Sequence, residues 1–264
     1  MPFVTVNDKP IYYESVGTGE PLVLIHALLM NGRMWSDQVA VFSEKYRVIT
    51  VDLYGYGKSK PTDVRIVDHP ADIKGLLDAL GIEKTLLLGL SMGSIQALCF
   101  ALENPDMVKK LALISTGIDG FEYPDSAEEW WHTFIGAVKA GDLPLAKKTF
   151  SEAFINGSHY PADDAMKARA NAMMDEYDFC HFLDDTLLWK EYGAVADRLN
   201  VITCPVLVMA GDNEHPNYLA VETAEYVACK FPNAQKSIIA NAGHFINWQQ
   251  PEAFNRAVLD FLAD

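Results

Sequence analysis

The sequence predicts an α/β domain: a mostly parallel sheet of eight strands with helices on both faces, interrupted once by a long helical insertion. Three observations carry this. Short β-branched or leucine-rich runs alternate with longer amphipathic runs through the first half, as strands and crossover helices do. The alternation stops near Asp119 and resumes after Asn200. A Gly-x-Ser-x-Gly run, Gly89 to Gly93, stands where a strand-like run meets a helix-like one.

Taken in order, extended segments are expected at Phe3 to Asn7 and Ile11 to Ser15, joined by a hairpin turn at Asp8-Lys9-Pro10. Val16-Gly17-Thr18-Gly19-Glu20 marks a second turn. Strands follow at Leu22 to His26, Val48 to Asp52, Thr85 to Leu90 and Val108 to Ser115. The Leu22 run is apolar at nearly every position, which suits a strand buried on both faces. The sheet should therefore open antiparallel and continue parallel. From 119 to 200 the spacing turns helical and aromatic, with Trp130, Trp131, Phe134, Phe150, Phe154, Phe179, Phe182 and Trp189. This stretch reads as a helical cap inserted into one core, which comprises 1–118 and 201–264. Strands return at Pro205 to Ala210 and Lys236 to Ile239, and a last helix runs from about Gln250 to Leu262.

Composition narrows the function. Half of the 264 residues are hydrophobic, enough for a sizeable core. A formal net charge of -15 works against nucleic acid and against an anionic membrane, both of which reward clustered Lys and Arg. A neutral or apolar small molecule would feel this field least, and a homodimer is admitted as an assembly. The four cysteines, Cys99, Cys180, Cys204 and Cys229, form no zinc-ligand spacing and read as reduced thiols. No metal and no organic cofactor is expected. The N-terminus has neither a basic segment nor a long apolar one, so the expected location is the cytoplasm.

The chemistry gathers at three places. Gly89-Leu90-Ser91-Met92-Gly93 has the strand, tight turn, helix context of a nucleophile elbow, in which Ser91 is thrust from the sheet and the Met92 amide faces a developing oxyanion. A serine hydroxyl needs a base. His244, in Asn241-Ala242-Gly243-His244-Phe245 after the last strand, is that base, because serine, acid, histidine is one of the orders in which such triads occur. Two carboxylates compete for the acid, Asp212 and Glu214, both just beyond the strand ending at Gly211, with Asp119 a weaker third. The loop after the third strand, His26 to Met30, should supply the second oxyanion donor from the Leu28 amide, with His26 itself structural. Gly57-Lys58-Ser59 imitates the end of a phosphate-binding loop, but the glycine that motif needs five positions earlier is Asp52, which would repel phosphate.

Together these segments resemble the α/β-hydrolase superfamily over essentially the whole chain, in particular its small capped serine hydrolases: carboxylesterases, enol-lactonases and cofactor-free haloperoxidase-like esterases. Asp52-Leu53-Tyr54-Gly55-Tyr56-Gly57-Lys58-Ser59 resembles the family's Asp-x-x-Gly-x-Gly-x-Ser stretch, Trp35 an aromatic after the oxyanion loop, and Gly243-His244-Phe245 with Gln250-Pro251-Glu252 its C-terminal stretch. The resemblance implies the α/β-hydrolase fold and an acyl-enzyme. It also selects Glu214 as the acid, three positions after the glycine, where Asp is commoner in the family. Ala27 departs from the usual glycine after the oxyanion-loop histidine. The expected reaction is cleavage of a carboxylic ester of a small to medium, largely apolar substrate under a roof that includes Met173 and Met174. A lactonase, or a ligand-binding receptor on the same fold, is the alternative.

These assignments predict a graded loss of activity on a p-nitrophenyl ester. Ser91→Ala and His244→Ala should each lower kcat by about 10⁶, Glu214→Gln by about 10⁴, and Asp212→Asn hardly at all. The reverse ranking of the last two would make Asp212 the acid.

Overall fold

The computed structural model describes residues 2–62, 68–156, 162–177, 194–212 and 220–263. Its strands are β1 (Phe3–Val6), β2 (Lys9–Val16), β3 (Glu20–Ile25), β4 (Tyr46–Asp52), β5 (Thr85–Leu90), β6 (Val108–Ile114), β7 (Val206–Gly211) and β8 (Ala234–Ile239). They form one sheet in the order β1-β2-β4-β3-β5-β6-β7-β8. The pairs β1/β2 and β2/β4 are antiparallel and all others parallel. Every residue of β5 and of β7 is buried, which is why these strands read as continuous apolar runs and not as alternating ones.

Among the described residues the α-helices are α1 (Ser36–Phe42), α2 (His69–Ala79), α3 (Met92–Glu103), α4 (Asp125–Ala140), α5 (Leu143–Phe154), α6 (Asp164–Glu176), α7 (Ala220–Ala228), α8 (Ile246–Gln249) and α9 (Pro251–Ala263). Three of them, α4, α5 and α6, fall between β6 and β7. Trp130, Phe134, Phe150 and Phe154 pack on one another there, with Phe134 and Phe150 fully buried, so much of the aromatic content holds these helices together. Phe179, Cys180, Phe182 and Trp189 lie outside the described residues. No helix among the described residues is long and apolar enough to cross a membrane.

The first hairpin differs from expectation. Its turn is Asn7-Asp8, both with positive φ (49° and 64°), the geometry of a two-residue loop whose twist matches the strands. Lys9 and Pro10 already belong to β2, opposite Val6 and Thr5. Lys9 is buried and forms an ion pair with Asp72 of α2, itself buried. Burial raises the Asp72 pKa, and the Lys9 ammonium opposes that rise. A cation beside a proline imitates a turn in sequence, whereas here it fastens an outer strand to a helix.

Removing one member of a buried pair strands the other charge, so Lys9→Met should destabilise the fold by about 3–5 kcal/mol in urea unfolding. The double variant Lys9→Met/Asp72→Leu should recover most of that loss.

Candidate active site

Ser91 is the hinge between β5 and α3, with φ 56° and ψ -120°. A non-glycine residue in that region stores about 1–3 kcal/mol and persists only when its surroundings hold it. They do so through the end of β6. The Ser91 amide donates to Ile114 O at 2.8 Å. Three residues on, the buried Ser94 hydroxyl donates to Gly89 O at 2.6 Å and accepts from the Ile114 amide at 2.8 Å. The elbow is thus sewn to β6 at the Ser91 amide and again three residues on. Ser94 is invisible as a site residue in the sequence, where a serine on an amphipathic helix carries no distinguishing signal.

The elbow also lies against the predicted oxyanion loop. A Cβ on Gly93 would run into the carbonyl oxygens of Ile25 and His26, so only glycine lets α3 approach that loop so closely. The loop turns through a Met30 N–H to Ala27 O bond of 3.1 Å, with its left-handed residue at Leu29 (φ 59°). Ala27 therefore meets no steric demand for glycine. Leu28 sits inside this turn, and Met92 is the first residue of α3, where helix amides lack intrahelical acceptors and carry the positive end of the dipole. The structure brings these two segments together.

His26 fixes the same loop from below. Leu53 N–H donates to its Nε2 at 3.0 Å, so the proton sits on Nδ1, which donates to Ala27 O at 2.9 Å. Full burial lowers its pKa to about 3. It is a neutral strut. Asp52 braces the neighbouring backbone in a comparable way, its carboxylate accepting from the amides of Gly32 and Lys58, each at 2.7 Å. That use explains the acidic residue within the phosphate-loop imitation.

His244 follows β8 and comes to the same sheet end. Its carbonyl accepts from the Ser115 hydroxyl at 2.9 Å, one residue past the Ile114 that anchors Ser91. Its ring meets Phe154 of α5 at 4.4 Å between centroids and Phe245 edge-on at 5.3 Å. Burial lowers its pKa to about 3 from the ordinary 6.5, so the imidazole is neutral at pH 7, as a general base must be. The sequence alone anticipates an unperturbed value; the desolvation comes from the apolar contacts.

Of the proposed acids, Glu214 lies outside the described residues. Asp212 is held at the end of β7, its amide bonded to Ile239 O at 3.0 Å and one carboxylate oxygen accepting from Ala242 N at 3.4 Å. Gly211 permits this approach, because a Cβ there would strike Ala242 O. Asp119 is occupied elsewhere: its carboxylate accepts from the amides of Val195 and Ala196 at 2.7 and 2.8 Å, capping a short helical turn.

Residues 20–251 match the alpha/beta hydrolase fold family. The chain belongs to that family. A 2-hydroxy-6-oxononadienedioate/2-hydroxy-6-oxononatrienedioate hydrolase of Cupriavidus pinatubonensis is 31% identical over 277 residues, covering 99% of this chain and 95% of its own. Among solved structures, an esterase of Exiguobacterium antarcticum has a TM-score of 0.86 at 24% identity over 99% of both chains. An enol-lactonase of Burkholderia xenovorans has a TM-score of 0.82 at 22% identity over 100% of both. Hydrolysis is the enzyme class of this family member, and the likeness to these two structures is one of fold.

With His244 as the general base, its depressed pKa predicts an acid limb of kcat/KM below pH 6.5. Phe154→Ala admits water to the ring and should move that limb upward, which pH–rate profiles from about pH 4 to about pH 9 will read. An unchanged midpoint would show that Phe154 is not what dries the base. The same shifts act on stability: the unfolded chain protonates both histidines near 6.5 while the fold resists down to about 3, so stability falls as pH drops through that window.

Proposed function

We propose that the protein is a serine hydrolase that cleaves a carboxylic ester of a small to medium, largely apolar substrate through an acyl-enzyme. The observation that carries this reading is the strained Ser91 elbow bonded to the same strand end that binds the His244 loop. Ser91 Oγ attacks the carbonyl carbon while His244 takes its proton. The Leu28 and Met92 amides stabilise the tetrahedral oxyanion, and Glu214 orients the imidazolium. The intermediate collapses by expelling the alcohol, which takes the proton back from His244. Water then attacks the acyl-enzyme under the same base and releases the acid and Ser91. Helices α4, α5 and α6, within 119–200, act as a cap, and the Phe154 ring beside His244 supports an apolar acyl or aryl group.

A second reading has one specific support. The Cupriavidus relative is named for a 6-oxo dienedioate, and hydrolysis at a ketone carbonyl, which bears no oxygen leaving group, breaks a carbon–carbon bond. The same elbow and base could start that reaction. A net charge of -15 and the phenylalanine beside the base favour the uncharged ester over a dianion.

Labelling with a fluorophosphonate, followed by mapping of the adduct, should modify Ser91 and no other serine. Turnover should then be measured on p-nitrophenyl acetate and butyrate, matched lactones and a 2-hydroxy-6-oxo dienedioate. The ester reading expects the highest kcat/KM on the open esters; preference for the dienedioate would assign carbon–carbon hydrolysis. Ester rates no better than those of Ser91→Ala, with no labelling, would leave a binding protein.

A further inference from the structure

Helix α6 carries a cation that reaches two catalytic loops at once. Arg169 Nη1 donates to Asp37 Oδ2 at 2.7 Å, and Nη2 donates to the Ser36 hydroxyl and to the carbonyls of Met34 and Arg33 at 3.2 and 3.3 Å. Its guanidinium lies 4.9 Å from the centroid of Trp248. Two of these partners, Met34 and Trp248, lead to the active site.

The first path runs through Met34, which is fully buried. Its sulfur accepts from the Ala27 amide at 3.3 Å, at the base of the oxyanion turn. Its carbonyl gathers Trp248 Nε1 at 2.8 Å and Asn247 Nδ2 at 3.3 Å besides Arg169. The second path is a stack of rings. Trp248 lies parallel to Phe245 at 4.9 Å, and Phe245 meets His244 edge-on at 5.3 Å. Both ends of the proposed chemistry, donor and base, therefore rest on groups that one guanidinium holds. Its rigid planar fork holds several acceptors and one aromatic face in a single geometry, which the compact, freely rotating ammonium of a lysine does not fix.

Further along the same helix, Glu176 fastens it to the same segment. It accepts from Arg33 Nη2 at 2.6 Å and from Asn31 Nδ2 at 3.4 Å, and its carbonyl accepts from Lys60 Nζ at 2.8 Å. Between the two anchors, Ala170, Met173 and Met174 form the buried stripe of α6. By contrast, the Lys147–Asp175 pair joins α5 to α6 and touches neither loop.

We propose that Arg169 is a positioning residue that couples the seating of α6 to the placement of the oxyanion turn and of His244, so that full catalytic geometry forms only with this helix docked. The inference rests on the serine-hydrolase reading for its catalytic consequence, while the positional link stands on the contacts alone.

The test compares wild type with Arg169→Ala, Arg169→Lys and, as a control for losing an ion pair in the inserted helices, Lys147→Ala. Misplacement of about 1 Å by a remote change can cost about 10²-fold. Arg169→Ala should therefore lower kcat about tenfold to a hundredfold by equal factors on acetate and butyrate esters, with KM changed less than about threefold. Arg169→Lys should recover only a small part, added guanidinium at millimolar concentration should recover more, and Lys147→Ala should match wild type. Hydrogen exchange of the unliganded proteins should quicken at 27–36 and 245–249 in Arg169→Ala, with β5 and β7 unchanged. A rise in KM at constant kcat would make Arg169 a substrate contact and overturn the proposal, as would a loss of activity matched by general loosening of the core. Unaltered exchange in the two loops would refute the link whatever the activity. Absence of Ser91 labelling in wild type would instead refute the serine reading, with the exchange data still deciding the role of Arg169.

Discussion

Everything at the site depends on a backbone that would relax if released. Ser91 stays in its positive-φ conformation because its own amide and the Ser94 hydroxyl both bond to one residue of a neighbouring strand, Ile114. Strain of this kind needs a rigid counterpart, and β6, with Leu111 to Ile114 all fully buried between β5 and β7, supplies it. The sheet order matters for the same reason. Placing β6 beside β5 brings the carboxyl ends of both strands to the spot where the His244 loop returns after β8.

Burial then does chemical work. Two histidines reach a similar depressed pKa by desolvation, yet their hydrogen bonds give them different jobs. His26 spends both ring nitrogens on backbone groups, so its neutrality serves the shape of the turn after β3. His244 is placed by the bond to its carbonyl and by flanking aromatic rings, and in the reading offered above its imidazole carries the proton. A dry environment keeps the base unprotonated and also strengthens any dipole aimed at a developing charge. The helices between β6 and β7 contribute to that dryness directly, since Phe154 belongs to one of them.

These helices are also tied to the core through charge. On a chain of net charge -15 a cation finds partners readily, and Arg33 and Arg169 both bridge α6 to the segment after β3, while Lys60 bonds its last carbonyl. Most exposed ion pairs are worth little on their own. A fork that bonds several backbone and side-chain oxygens while stacking on tryptophan is a different case, because its value lies in the geometry it imposes on the groups behind it.

All eight strands are legible in the sequence, the central ones most plainly, since a strand buried on both faces must be apolar along its length and β5 and β7 are. The Ser91 elbow and the His244 loop are legible too, because glycine spacing and chain order are local properties of the sequence. The first turn misleads where Lys9-Pro10 imitates loop chemistry, and only the burial of Asp72 beneath β2 reveals the lysine as an internal anchor. Asp119 is a candidate acid by position and proves to be a cap, a role set by residues 76 positions away. The pKa of His244, the use of Ser94 and Ser115 as pins and the reach of Arg169 all arise from contacts between segments remote in the chain. Sequence alone determined which residue types stand at the strand ends; packing across the sheet decided which of them touch, and therefore what each can do.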